Sequence, residues 1–75
     1  MTTLKHLVGK RVRKIRRNLD ITQEQLAEAV GITSESISNI ERGKTAPSFE
    51  TLEKIAEVLQ VQVKELFDFP EEGRP

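Results

Sequence analysis

The sequence contains no cysteine, no tryptophan and no tyrosine, and a single histidine. Without cysteine there is no disulfide framework, no thiolate metal site and no thiol nucleophile. His6 stands on a charged stretch with no second ligand at helical spacing, so no metal site and no catalytic triad is expected around it. No glycine-rich phosphate loop precedes a helix. These absences argue against an enzyme, with no catalytic residue, no metal and no cofactor expected. No apolar run approaches the roughly 18 residues that cross a bilayer, and the N-terminus lacks the apolar core of a signal peptide. The expectation is a cytoplasmic chain with no membrane partner. At 75 residues, 36% hydrophobic and 32% charged, it has room for one small helical domain. That domain is expected over residues 1–69, followed by a flexible tail at 70–75.

The formal net charge is zero, but the charge is segregated. Residues 1–19 hold seven basic side chains (Lys5, Lys10, Arg11, Arg13, Lys14, Arg16, Arg17) and no acid. The remaining 56 residues carry a net charge of −7. Phosphate binding depends on local positive potential and not on the sum over the chain. A solvated basic helix face and a phosphate-facing one both fit this stretch.

What is present is organised around residues 22–44, TQEQLAEAVGITSESISNIERGK. Leu26, Ala27 and Val30 share one face of a first short helix, and Ile37 and Ile40 one face of a second. Gly31 between them tolerates positive φ at a sharp turn, and Ala27 is small enough for two helices to cross closely. Thr22 with Gln25 forms a T-x-x-Q capping box opening the first helix, and Thr33 caps the second. The pattern is a helix-turn-helix, which points to DNA.

The flanking segments complete a helical bundle. Leu4, Val8, Val12, Ile15 and Leu19 form a stripe that predicts a helix over 4–19, with Lys10, Arg13, Lys14 and Arg17 opposite it. Arg11 and Arg16 fall at the stripe's margins, where an arginine buries its stem and pairs its head. Gly9 has no evident reason in the sequence. The helices of the motif are expected over 23–30 and 34–42. Ser48 caps a fourth helix with a stripe of Phe49, Leu52, Ile55, Ala56 and Leu59. A short fifth helix is expected over 63–67. Val61, Val63, Leu66, Phe67 and Phe69 are too many apolar residues for an isolated last turn, so some fill the core and others form a contact surface.

Residues 8–67 resemble the DNA-binding domain of phage repressors and Cro proteins, the XRE family. The resemblance rests on QEQLAEAVGIT, SISNIERGKTAPS and ETLEKIAEVLQV followed by VKELF. It implies an all-α, five-helix lambda-repressor-like fold with the helix-turn-helix at helices two and three. It also implies a sequence-specific transcriptional regulator, most simply a dimeric repressor or autoregulator. By position, the side chains of Ser34, Glu35, Ser38 and Asn39 would reach base edges. Gln23, Thr33, Ser36, Arg42 and Lys44 would meet the DNA backbone. Arg16 and Glu41 would form a structural pair, and Val61, Val63, Leu66, Phe67 and Phe69 the dimer interface. The implied partners are double-stranded DNA with a near-palindromic operator and a second copy of the chain, at the nucleoid. Some members carry a C-terminal self-cleaving or ligand-binding domain; none is expected here. Glu35 is acidic at the reading face, and Gln60 stands where the family often has glycine. Glu35, with the zero net charge, keeps open an adaptor or antitoxin-type module with a protein partner and weak DNA binding.

Overall fold

In the computed structural model, which describes residues 3–69, each α-helix begins on a hydroxyl side chain. The helices are α1 (Leu4–Asn18), α2 (Gln23–Val30), α3 (Ser34–Glu41) and α4 (Phe49–Leu59). Thr3, Thr22, Thr33 and Ser48 occupy the N-caps in extended backbone. Their oxygens accept the orphan main-chain N–H groups of the first turns. The Thr22 box closes both ways: Gln25 N donates to Thr22 Oγ1 at 3.0 Å, and Thr22 N donates to Gln25 Oε1 at 2.9 Å. Gly31 ends α2 at φ 91°, and the N–H groups of Gly31 and Ile32 both return to Ala27 O. That left-handed step turns the chain into α3.

The expected fifth helix is instead a 3₁₀ turn, Val63–Phe67. Its bonds run from Glu65 N to Gln62 O and from Asp68 N to Glu65 O. Five residues are too few to sustain the longer-range bonding of an α-helix, and the tighter pattern is common in such short connectors. Gln60 takes the left-handed conformation, φ 61°, that ends α4. This is the position where glycine would carry less steric cost. The expected tail at 70–75, and Met1 and Thr2 of the expected domain, lie outside the described residues.

One core joins all the elements: Val8 and Val12 from α1, Leu26, Ala27 and Val30 from α2, Ile37 and Ile40 from α3, Leu52, Ile55, Ala56 and Leu59 from α4, and Leu66. The stripes read from the sequence overrun this core at their ends. Leu4 and Leu19 are exposed, and Phe49, expected inside, is 84% exposed. Phe49 is the first residue of α4. Helical side chains lean toward the helix N-terminus, so this ring projects past the edge of the core.

Gly9 acquires a reason in the packing. A Cβ there would collide with Ile40 O and stand 3.0 Å from Glu41 O. The absent side chain lets the backbone of α1 approach the end of α3. Gly9→Ala forces the two helices apart, which outweighs the helix propensity gained by alanine. The expected result is a loss of about 1–3 kcal/mol, read as a lower urea midpoint with an unchanged m-value.

Candidate nucleic-acid interface

The last charged residue of α3, Glu41, faces inward and is 4% exposed. Arg16 of α1 meets it with two parallel bonds, Nε to Oε2 at 2.6 Å and Nη2 to Oε1 at 3.0 Å. Arg16 Nη1 also donates to Ile21 O at 2.7 Å, which holds the connection from α1 to α2. Gln23 Nε2 donates to Glu41 Oε1 at 3.0 Å. The expected pair is therefore the centre of a network joining α1, the α1–α2 connection, α2 and α3. Among the described residues no buried side-chain nitrogen or oxygen lacks a partner.

This network fixes what α3 presents. With Ile37, Ile40 and Glu41 turned inward, Ser34 and Glu35 are exposed and Ser38 and Asn39 half-buried along the outer side. The four residues expected to read bases thus fall on one outer sector. Asn39 Oδ1 accepts from Arg42 Nη2 at 2.9 Å. The bond orients the amide, while the second oxygen lone pair and the NH₂ group stay available to a base. Arg42, expected at phosphate, is thus engaged with a residue expected at a base edge. The signal was there in the i, i+3 spacing of Asn39 and Arg42.

The residues expected at the DNA backbone are distributed around that sector. Thr33 Oγ1 accepts from Ser36 N at 3.0 Å and donates to Ser36 Oγ at 2.9 Å, so the two side chains are coupled. Gln23, expected at phosphate, has its amide engaged with Glu41, and its main-chain N–H remains in the first turn of α2. No sequence-local signal links Gln23 to Glu41, which lie 18 residues apart. Lys44 is exposed on the loop after α3. That loop turns at Gly43, φ 75°, where a Cβ would stand 2.8 Å from His6 Cα. Arg17, Thr22, Gln23, Glu24 and Ser34 border one shallow cleft where α1, α2 and α3 meet, with Arg16 at its base.

The apolar residues expected at a dimer contact separate into two groups. Leu66 is fully buried in the protomer's own core, and Val61 and Phe69 pack against that core. Val63 and Phe67 are 38% and 37% exposed. Phe67 borders a shallow apolar groove with Leu4, Ala46, Pro47 and Phe49. Leu4 and Phe49 were missed as surface residues because helical spacing put both on buried stripes. Among the described residues no group of acids and histidine is arranged to hold a metal, and no helix is long and apolar enough to cross a membrane.

Two short helices locked at this angle, with a polar outer face on the second, define a helix-turn-helix unit. The model of the helix-turn-helix family HTH_3 matches residues 12–66, and the chain belongs to that family of transcriptional regulators. It is 39% identical over 62 residues to an HTH-type transcriptional regulator of Archaeoglobus fulgidus, covering 83% of this chain and 87% of that one. It is 42% identical over 64 residues to the control protein C.BamHI of Bacillus amyloliquefaciens, covering 84% and 79%. Its fold is similar to that of the P22 c2 repressor solved in complex with a synthetic operator, with a TM-score of 0.76 and 37% identity over 80% of this chain and 91% of that one.

Removing one member of a buried ion pair leaves the other charge uncompensated, at about 3–5 kcal/mol. Arg16→Met is expected to destabilise by that order, because Glu41 then keeps only Gln23. Arg16→Met combined with Glu41→Leu is expected to recover much of the loss. Urea unfolding of the two singles and the double measures the coupling; additive losses would deny it.

Proposed function

We propose that this DNA-binding transcriptional regulator acts as a two-fold dimer that lays α3 of each protomer into successive major grooves of a near-palindromic operator. The single observation that carries the reading is the outer sector of α3, where Ser34, Glu35, Ser38 and Asn39 lie together over a locked frame. Asn39 matches the donor and acceptor edge of adenine, Glu35 accepts from cytosine N4, and the serines bond to either class of edge. Thr33, Ser36, Lys44 and the first-turn amide of Gln23 hold phosphate and set register. Arg42 positions Asn39 and stands beside the same strand. The P22 c2 repressor, solved on an operator, supports DNA as the ligand. A bound dimer in the cytoplasm represses by occupying the site, its own promoter included.

The groove bordered by Leu4, Phe49 and Phe67 supports a second copy of the chain as the other partner. It gathers three of the large apolar side chains that the small core leaves exposed, and a two-fold contact would bury it twice. To meet two half-sites one turn of duplex apart, such a dimer must hold its reading helices about 34 Å apart.

Selection of random duplexes by the purified protein is expected to enrich a near-palindrome with half-sites one turn apart. In the same selection Asn39→Ala relaxes one position of each half-site, at about 1–3 kcal/mol of discrimination. No enrichment at low salt overturns the reading, and unchanged preference removes Asn39 from it. For the dimer, Phe49→Asp is the test, since an acid in the first turn of α4 favours the helix. Sedimentation is expected to show at least about a tenfold weaker dimer with an unchanged unfolding midpoint. An intact dimer would move the contact elsewhere.

A further inference from the structure

Lys10, Arg13, Lys14 and Arg17 are all exposed on the side of α1 turned away from the core. With Asn18 they border one shallow depression, so their heads share a surface. Four pairs within this row stand three or four residues apart, and like charges at that spacing repel. α1 contains no acid to offset them. Arg13, Lys14 and Arg17 form no ion pair among the described residues. The row therefore costs helix stability, offset in part at Arg17 by its place in the last turn of α1, and Arg13 and Lys14 gain no partner for that cost.

The row also has a direction. Arg17, at its end, borders the cleft that holds Thr22, Gln23 and Ser34. Arg13 and Lys14 lie one turn behind it. The charge thus runs off the edge of the reading unit along α1, over roughly 6 Å from Arg13 to Arg17. Three successive phosphates of one strand span about 7 Å along the duplex axis.

We propose that Arg13, Lys14 and Arg17 form a phosphate rail, a contact with the backbone of the same duplex that α3 reads. This rests on the DNA-reading function above. The rail explains how a chain of zero net charge, with Glu35 on its reading helix, holds a polyanion. The repulsion from Glu35 acts at one base pair, while the rail supplies attraction beside it that is indifferent to sequence. Lys10 continues the same row.

The test is the salt dependence of binding to the selected operator and to a scrambled duplex of equal length. Each phosphate contact contributes about 0.9 to the slope of log affinity against log salt. The variant Arg13→Gln/Lys14→Gln/Arg17→Gln is expected to show a slope shallower by about 2–3 on both duplexes. The ratio of operator to scrambled affinity stays unchanged. Arg13→Lys/Arg17→Lys is expected to keep the native slope, since a phosphate rail needs point charges and not forked donors. The three single glutamine variants, each removing one exposed charge, are expected to share the loss in roughly equal steps. An unchanged slope with normal operator binding overturns the rail and assigns the row to an acidic protein surface or to solvent. A loss confined to the operator also overturns it. Absence of any salt-dependent DNA binding by the native chain overturns the DNA-reading function itself, a result separate from either.

Discussion

The Arg16–Glu41 pair is the constraint on which the remainder of the molecule depends. Its two parallel bonds cross from α1 to the end of α3, its third reaches the α1–α2 connection, and Gln23 adds the start of α2. Three helices are thereby held at one point by groups that have no water to fall back on. A buried ion pair adds little net stability compared with a well-packed apolar substitute, yet it is costly to break. Its consequence here is specificity of arrangement. Gly9 serves the same end from the backbone side, since the missing Cβ admits the carbonyls of Ile40 and Glu41. Close approach and ion pair meet at the same end of α3.

That arrangement produces the surface proposed to read DNA. Because Glu41 is drawn inward at the C-terminus of α3, Ser34, Glu35, Ser38 and Asn39 are turned outward together. The loop behind them is held by the turn at Gly43 against His6. The outer side chains of α3 are neutral apart from Glu35, and the row Lys10, Arg13, Lys14 and Arg17 is exposed on α1. In the proposed mode of binding, α3 reads bases and the exposed row of α1 adds long-range attraction. The division lets base contacts be chosen for their hydrogen-bond geometry while long-range attraction comes from elsewhere.

Much of this was legible in the sequence, and the reason is local chemistry. The caps at Thr22, Thr33 and Ser48 declare themselves within three residues, as does the turn at Gly31. The apolar spacing of Leu26, Ala27, Val30, Ile37 and Ile40 matches the buried set. The failures are at the ends of elements. Phe49 and Leu4 keep the spacing of a buried stripe but stand where the core has stopped, and periodicity carries no information about where a core ends. Leu66 and Phe67 are neighbours, one fully buried and one partly exposed, and composition alone could not sort them.

The sequence by itself therefore determined the elements, their order, the sharp turn between α2 and α3, and the identity of the side chains on the outer sector. These follow from interactions spanning a few residues. Only the tertiary structure decided that Gln23 turns to Glu41, that Gly9 admits α3, that Phe49 is a surface residue, and that Arg17 joins the cleft at Ser34. Each of these depends on where two distant stretches meet. That meeting is set by the sizes of the side chains at the contact, which no spacing along one helix encodes.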